Sequence, residues 1–279
     1  MRVAIIGCGN MAEAVVSGMN RFGKYEFFFY TPSGKRAQEF AKKFSGKAVS
    51  FDEMPEVDRV IFACKPQQFN EMSQLWAGKF NSKTLGISLL AGVSVSDLQK
   101  KMKLPKIIRL MPNTPTLVGQ GIGIWIKSSE VLEAHEFVSS FGPFMELIEA
   151  SSEDELDFLS AFSASGPAFI FEWARILSSL LMSEGISSKQ SQILIQKLFL
   201  GSATLMDQSV DSFETLRNKV TSPKGMTFEG LEVFRKSHLE NLFKDVIHQT
   251  YRRSRTLGDQ PVLPKFESFL QKQQQSPEQ

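Results

Sequence analysis

The chain has 279 residues, 42% of them apolar and 22% charged, with a formal net charge of +2 and two cysteines. That length suffices for two domains, since single cores rarely grow beyond about 250 residues, and the small positive excess has no long basic run behind it, which argues against a nucleic-acid partner. Cys8 and Cys64 lack metal-type spacing and fall at buried strand positions, so they read as structural thiols in a reducing compartment, with neither disulfide nor metal. The apolar start is too short for a secretory signal and no stretch of about 18 uncharged apolar residues exists, so the reading is a soluble cytoplasmic protein without a membrane partner.

The first half alternates short β-rich apolar runs with amphipathic segments. Strands are expected at 3–6, 26–30, 59–63, 84–89, 107–111, 121–126 and 145–148. Strands alternating with helices imply crossover connections and a doubly wound, mostly parallel α/β sheet over residues 1–152. From 153 to 270 no strand is expected and helix starts carry physical caps. Ser152 with Glu155, Ser187 with Gln190 and Asp211 with Glu214 have capping-box spacing. Gly166-Pro167 opens a long apolar helix over 168–182, which Glu172 and Arg175 disqualify as a membrane span; its apolar side chains suit a core or a subunit interface. Leu239, Leu242, Phe243, Val246 and Ile247 form a helical stripe that Gly258 is placed to end, and the polar tail 271–279 is expected to stay disordered.

Two turns suggest chemistry. The first strand runs through Ile6 into Gly7-Cys8-Gly9-Asn10-Met11-Ala12 and then a helix. Gly7 lets the chain leave the strand sharply, Gly9 lets the backbone approach a pyrophosphate, and Ala12 lets the helix pack closely. Such a turn also occurs without a ligand, but its place between strand and helix favours a dinucleotide. At the end of the second strand a carboxylate would suit a free ribose hydroxyl. Thr31, Ser33, Lys35 and Arg36 stand there instead, which favours the 2′-phosphate of NADPH over NADH, although Lys35 and Arg36 fit equally well as solvated helix residues. The second turn, within 216–227, reads helix, tight turn, helix, with free N–H groups that would trap an anion.

The motifs Gly7-Cys8-Gly9-Asn10-Met11, Cys64-Lys65-Pro66-Gln67, Ala91-Gly92-Val93, Arg109-Leu110-Met111-Pro112-Asn113-Thr114-Pro115, Ser163-Ala164-Ser165-Gly166-Pro167-Ala168 and 220–227 resemble, in order and spacing, those of pyrroline-5-carboxylate reductase. The resemblance implies NAD(P)H-dependent reduction of 1-pyrroline-5-carboxylate to L-proline, the last step of proline synthesis. It also implies a Rossmann domain followed by an all-α dimerisation domain, the interlocked homodimer often building into a decamer. It carries cofactor contacts to Ala63, Cys64, Lys65 and Pro66 and to Leu90 and Ala91. Asn113 would orient the nicotinamide carboxamide, with a rigid structural loop an almost equal alternative.

In the resembling family the second turn holds the imino acid. Here Ser222, Gly225, Met226 and Thr227 would bind it, successive N–H groups of Gly225, Met226 and Thr227 receiving the carboxylate. The Thr227 hydroxyl would contact the ring nitrogen, which makes Thr227 the catalytic candidate. His135, His238 and His248 lie outside every motif. The chain departs from the family pattern at Lys224, where a glycine is usual, at Met226, where a small residue is usual, and at Ala164. If the Lys224 position needs positive φ, lysine there is strained by about 1 kcal/mol. Two alternatives stay open: an imine or keto-acid reductase with an altered substrate, and a non-catalytic relative that binds nucleotide.

Overall fold

The computed structural model describes residues 1–132 and 134–257. Its first part runs β1 (Arg2–Ile6), α1 (Asn10–Phe22), β2 (Glu26–Tyr30), α2 (Lys35–Phe44), β3 (Lys47–Ala48), β4 (Arg59–Phe62), α3 (Phe69–Trp76), β5 (Leu85–Ser88), α4 (Val95–Met102), β6 (Ile107–Pro112), β7 (Gly121–Lys127), α5 (His135–Phe141), β8 (Met145–Glu149) and α6 (Glu153–Ser163). Short 3₁₀ turns at Pro66–Gln68 and Thr114–Val118 follow β4 and β6. The helices α7 (Gly166–Ser183), α8 (Ser188–Gln208), α9 (Phe213–Lys219), α10 (Met226–Lys236) and α11 (Leu239–Leu257) complete the described chain.

The strands form one sheet in the order β3-β2-β1-β4-β5-β6-β7-β8, parallel throughout except where β6 meets β7. This is a Rossmann-type sheet. The chain winds outward from β1 to β3 and then crosses to β4, so the order reverses between β1 and β4, where such sheets open a ligand crevice. Helices cover both faces, so the central strands are buried on both sides and read as unbroken apolar runs. Alternate residues feed two cores: Val3, Ile5, Phe27, Phe29 and Ile61 into one, Ala4, Ile6, Phe28, Val60 and Phe62 into the other.

All seven expected strands are present. The unforeseen β3 is two exposed residues, paired to Phe28 and Phe29 at the sheet edge, and carries no apolar periodicity to betray it. Two of the three expected caps form: Ser152 Oγ accepts the Glu155 N–H at 3.2 Å and Ser187 Oγ accepts that of Gln190 at 3.3 Å. The return bond of the first is displaced, the Glu155 carboxylate accepting from Ser151 N. The third expectation is corrected. Ser212, one residue later and directly before the first helical residue Phe213, caps α9 through Thr215 N at 3.1 Å, while Asp211 pairs with Lys219. Gly258 and the tail 271–279 lie outside the described residues.

The described chain divides into two compact units, one comprising the described residues up to Pro167 together with 247–257, the other Ala168–Val246. The second unit is helical and nearly coreless: among its described residues only Ser191 and Ile195 are buried. Phe171, Trp173, Leu180, Leu198, Leu200 and Leu205 all stand exposed on its helices. A patch of that kind marks an association surface.

Candidate active site

The nucleotide edge is built at the carboxyl ends of β1, β2, β4, β5 and β6. Gly7 has φ +99°, and a Cβ there would lie 2.5 Å from Cys64 N and 2.6 Å from the Ala63 carbonyl carbon. Only glycine fits, both by conformation and by space. Gly9 differs: a Cβ on it would meet nothing within 4 Å. It caps α1 with extended backbone and no side-chain acceptor, so the N–H groups of the first turn face open space at the positive end of the helix dipole. Gly9 and Asn10 are exposed, whereas Ile6 and the Cys8 side chain are buried, so only the backbone of the latter two is available to a ligand.

The end of β2 joins this turn through Arg36, whose Nε donates to the Cys8 carbonyl at 3.2 Å. The guanidinium also pairs with Glu39 at 2.7 Å, lies 3.8 Å from Glu13 and stacks over the Phe40 ring. Arg36 is thus held at several points while its side chain stays 47% exposed. Thr31 Oγ1 is buried and has no partner among the described residues, leaving a hydroxyl to spare beside the exposed Ser33 and Lys35. The donor set, hydroxyls and a fixed guanidinium beside open helix N–H groups, fits a phosphorylated dinucleotide.

Ala63 and Cys64 press on Gly7, and Lys65 and Pro66 turn away behind them into the first 3₁₀ turn. Burial pushes the Cys8 thiol up to about 12 and the Cys64 thiol up to about 11, so neither ionises near neutral pH. They are structural thiols. Leu90 is buried by its side chain and its N–H bonds Ser88 Oγ at 3.2 Å, while Ala91 is half-buried. Asn113 is committed at both ends of its amide: Nδ2 donates to the Ser163 carbonyl at 3.2 Å and Oδ1 accepts from Ile122 N at 3.0 Å. That pattern supports the rigid-loop reading, since it ties β6 to β7 and α6.

The second turn lies in the helical unit. Gly225 caps α10 with extended backbone and no side-chain cap. Lys224 has φ +57°, so the lysine does occupy the left-handed region, and its side chain is exposed. One expectation is corrected: the Gly225 N–H is spent inside the turn, donating to the Ser222 carbonyl at 3.0 Å. The donors left for an anion are those of Met226, Thr227 and the next residue. Ser222, Met226 and Thr227 are exposed, Met226 almost completely.

Arg109 has a part that its motif alone does not reveal. It is buried on β6 and reaches Glu153 at 3.1 Å and Asp157 at 3.0 Å on α6; Asp157 also holds Arg255 at 3.1 Å on α11. The other oxygen of Glu153 accepts from Val95 N at 2.6 Å, at the start of α4. This network fixes the segment after β5 against α6. Its signal was a lone arginine inside an apolar strand.

The family model for pyrroline-5-carboxylate reductase dimerisation matches residues 153–257, and a model described as NADP oxidoreductase, coenzyme F420-dependent, matches 2–92. A pyrroline-5-carboxylate reductase from Synechocystis is 30% identical over 92% of this chain and 98% of its own. The chain belongs to the pyrroline-5-carboxylate reductase family. Another member, from Staphylococcus haemolyticus, is 29% identical over 91% of this chain and 97% of its own. The crystal structure of Plasmodium falciparum pyrroline carboxylate reductase with NADP bound superposes with a TM-score of 0.80 at 23% identity, covering 92% of this chain and 98% of that one, which shows the shared fold. The helical half is thus a dimerisation domain, in keeping with its bare apolar faces. Among the described residues no helix is long and apolar enough to cross a membrane, and no cluster of His, Cys, Asp and Glu could hold a metal.

Proposed function

We propose that the chain reduces 1-pyrroline-5-carboxylate to L-proline with NAD(P)H, the final step of proline biosynthesis, in the cytoplasm. The observation that carries this reading is the match to pyrroline-5-carboxylate reductases over more than nine-tenths of both chains. Residues 1–152 serve as the nucleotide domain and 153–270 as the dimerisation and substrate-binding domain, within a homodimer that builds into a decamer. Arg36 and the spare Thr31 hydroxyl support NADPH over NADH. Ile6, Gly7, Cys8, Gly9, Asn10 and Met11 would hold the pyrophosphate through backbone, Ser33 and Lys35 the 2′-phosphate, and Ala63 to Pro66 with Leu90 and Ala91 the rest of the cofactor.

In the substrate half the imino acid's carboxylate would sit on the Met226 and Thr227 N–H groups at the start of α10, with the Ser222 hydroxyl beside it. Thr227 Oγ1 would accept the iminium N–H and so fix the face of the C=N bond. When bound, the nicotinamide supplies the hydride to the imine carbon; the iminium proton remains on nitrogen, giving the amine of proline. An iminium is already electrophilic, so alignment and exclusion of water suffice and no side-chain acid is required.

The exposed Lys224 ammonium beside the anion turn favours one second reading, a related reductase whose imine carries an additional anionic group. NADPH oxidation by the purified chain with 1-pyrroline-5-carboxylate, with proline identified as product and NADH as comparison, tests the proposal. Turnover with a dicarboxylic imine alone would transfer it to the second reading. Tight NADPH binding with no turnover on either would make the chain a non-catalytic relative.

A further inference from the structure

At the edge of the sheet opposite the glycine turn, the strands begin around a cleft of about 980 Å³. Arg59 opens β4 there, with Lys83 and Lys106 just ahead of β5 and β6, and the registers Arg59↔Leu85 and Gly86↔Ile107 set these strand starts side by side. Arg59 is only 2% exposed. A guanidinium so buried needs its five N–H groups and its charge satisfied. The described residues do so only in part. Nη2 donates to the Glu136 carbonyl at 3.1 Å and lies 3.9 Å from that residue's carboxylate, whose side chain is 87% exposed. Nη1 is buried without a partner among the described residues.

Beyond Glu136, no carboxylate among the described residues lies within 4 Å of the guanidinium. Asp58 accepts from Arg2 N at 2.7 Å, and Glu130 accepts from Gln99 Nε2 at 2.7 Å. Lys83 and Lys106, whose ammonium groups make no ion pair among the described residues, share the cleft with Glu56 and the solvent-facing Glu136. Burial holds the Arg59 guanidinium below the usual arginine range, against the opposing effect of Tyr25, Glu136 and Asp58.

We propose that this basal cleft binds a small oxyanion, a carboxylate or a phosphate, with the Arg59 guanidinium as anchor and Lys83 and Lys106 as flanking charges. A planar guanidinium with an unpartnered Nη1 favours an oxyanion over a spherical halide. The site is distinct from the nucleotide edge, since β4 separates Arg59 from Phe62 by roughly 10 Å. The test is calorimetric titration of the full chain with inorganic phosphate and, separately, with succinate, at fixed ionic strength and with saturating NADP⁺ present. Binding of one or both anions is expected, weakened at least about tenfold in the Lys83→Ala/Lys106→Ala double variant and lost in Arg59→Gln. The double variant alters no fully buried side chain, so it decides the matter even if Arg59→Gln fails to fold. The stronger of the two anions identifies the class. No heat with either anion, or an affinity unchanged in the double variant, overturns the proposal.

Discussion

Two residues of the second turn separate chemistry from conformation. Thr227 is exposed and its hydroxyl contributes nothing to the cap of α10, so Thr227→Ala should leave folding intact. Loss of one hydrogen bond to a charged nitrogen is worth about 1.5–3 kcal/mol, so turnover should fall roughly ten- to a hundredfold while NADPH affinity stays level. Steady-state kinetics beside a nucleotide titration checks this, and parallel loss of both would remove Thr227 from the catalytic role. Lys224 is the converse case. Its left-handed backbone favours glycine, so Lys224→Gly should retain or raise turnover and shift stability upward by up to about 1 kcal/mol, less the greater freedom of the unfolded chain. Denaturant unfolding reads the stability, and a large loss of turnover would show that the ammonium belongs to the site.

At the scale of elements, the turn after β1 and the segment after β5 are held by different means. The first rests on the absence of a Cβ at Gly7, which allows the Ala63–Cys64 backbone to touch it. The second rests on charge, through Arg109, Glu153 and Val95 N. Replacing Arg109 by methionine keeps the volume but leaves the buried Asp157 with Arg255 alone and Glu153 without its cation; breaking a buried pair costs about 3–5 kcal/mol, and the Arg255 pair that remains puts the expected loss at or below the low end of that range. The expected result is a clear drop in the unfolding midpoint, with nucleotide affinity reduced because the segment holding Leu90 and Ala91 loosens. An unchanged midpoint would mean that the network is not needed to fix α4 and α6. Both turns were visible in the sequence as motifs. Their supports were not, because they join residues 44 to 58 positions apart.

The whole molecule leaves one unit without a core of its own. With Ser191 and Ile195 its only buried positions among the described residues, the helical unit must cover Leu198, Leu205 and their neighbours by association. Paired Leu198→Asp and Leu205→Asp substitutions should convert the assembly to monomer, measured by sedimentation; an unaltered sedimentation coefficient would place the interface elsewhere. The expectation that residues 168–182 serve a core or an interface resolves toward the interface, and only accessibility in the folded chain could tell the two apart.

The sequence by itself determined the seven principal strands, the all-helical second half, the glycine turn and the anion turn, because these depend on local periodicity, caps and glycine chemistry. It raised positive φ at Lys224 only as a condition, which the fold meets at φ +57°. Tertiary structure alone decided the rest. It committed the Asn113 amide to Ser163 and Ile122 and drew Arg36 onto the Cys8 carbonyl. Each of these depends on which polar groups the fold brings within about 3 Å of one another, a distance that no spacing along the chain encodes.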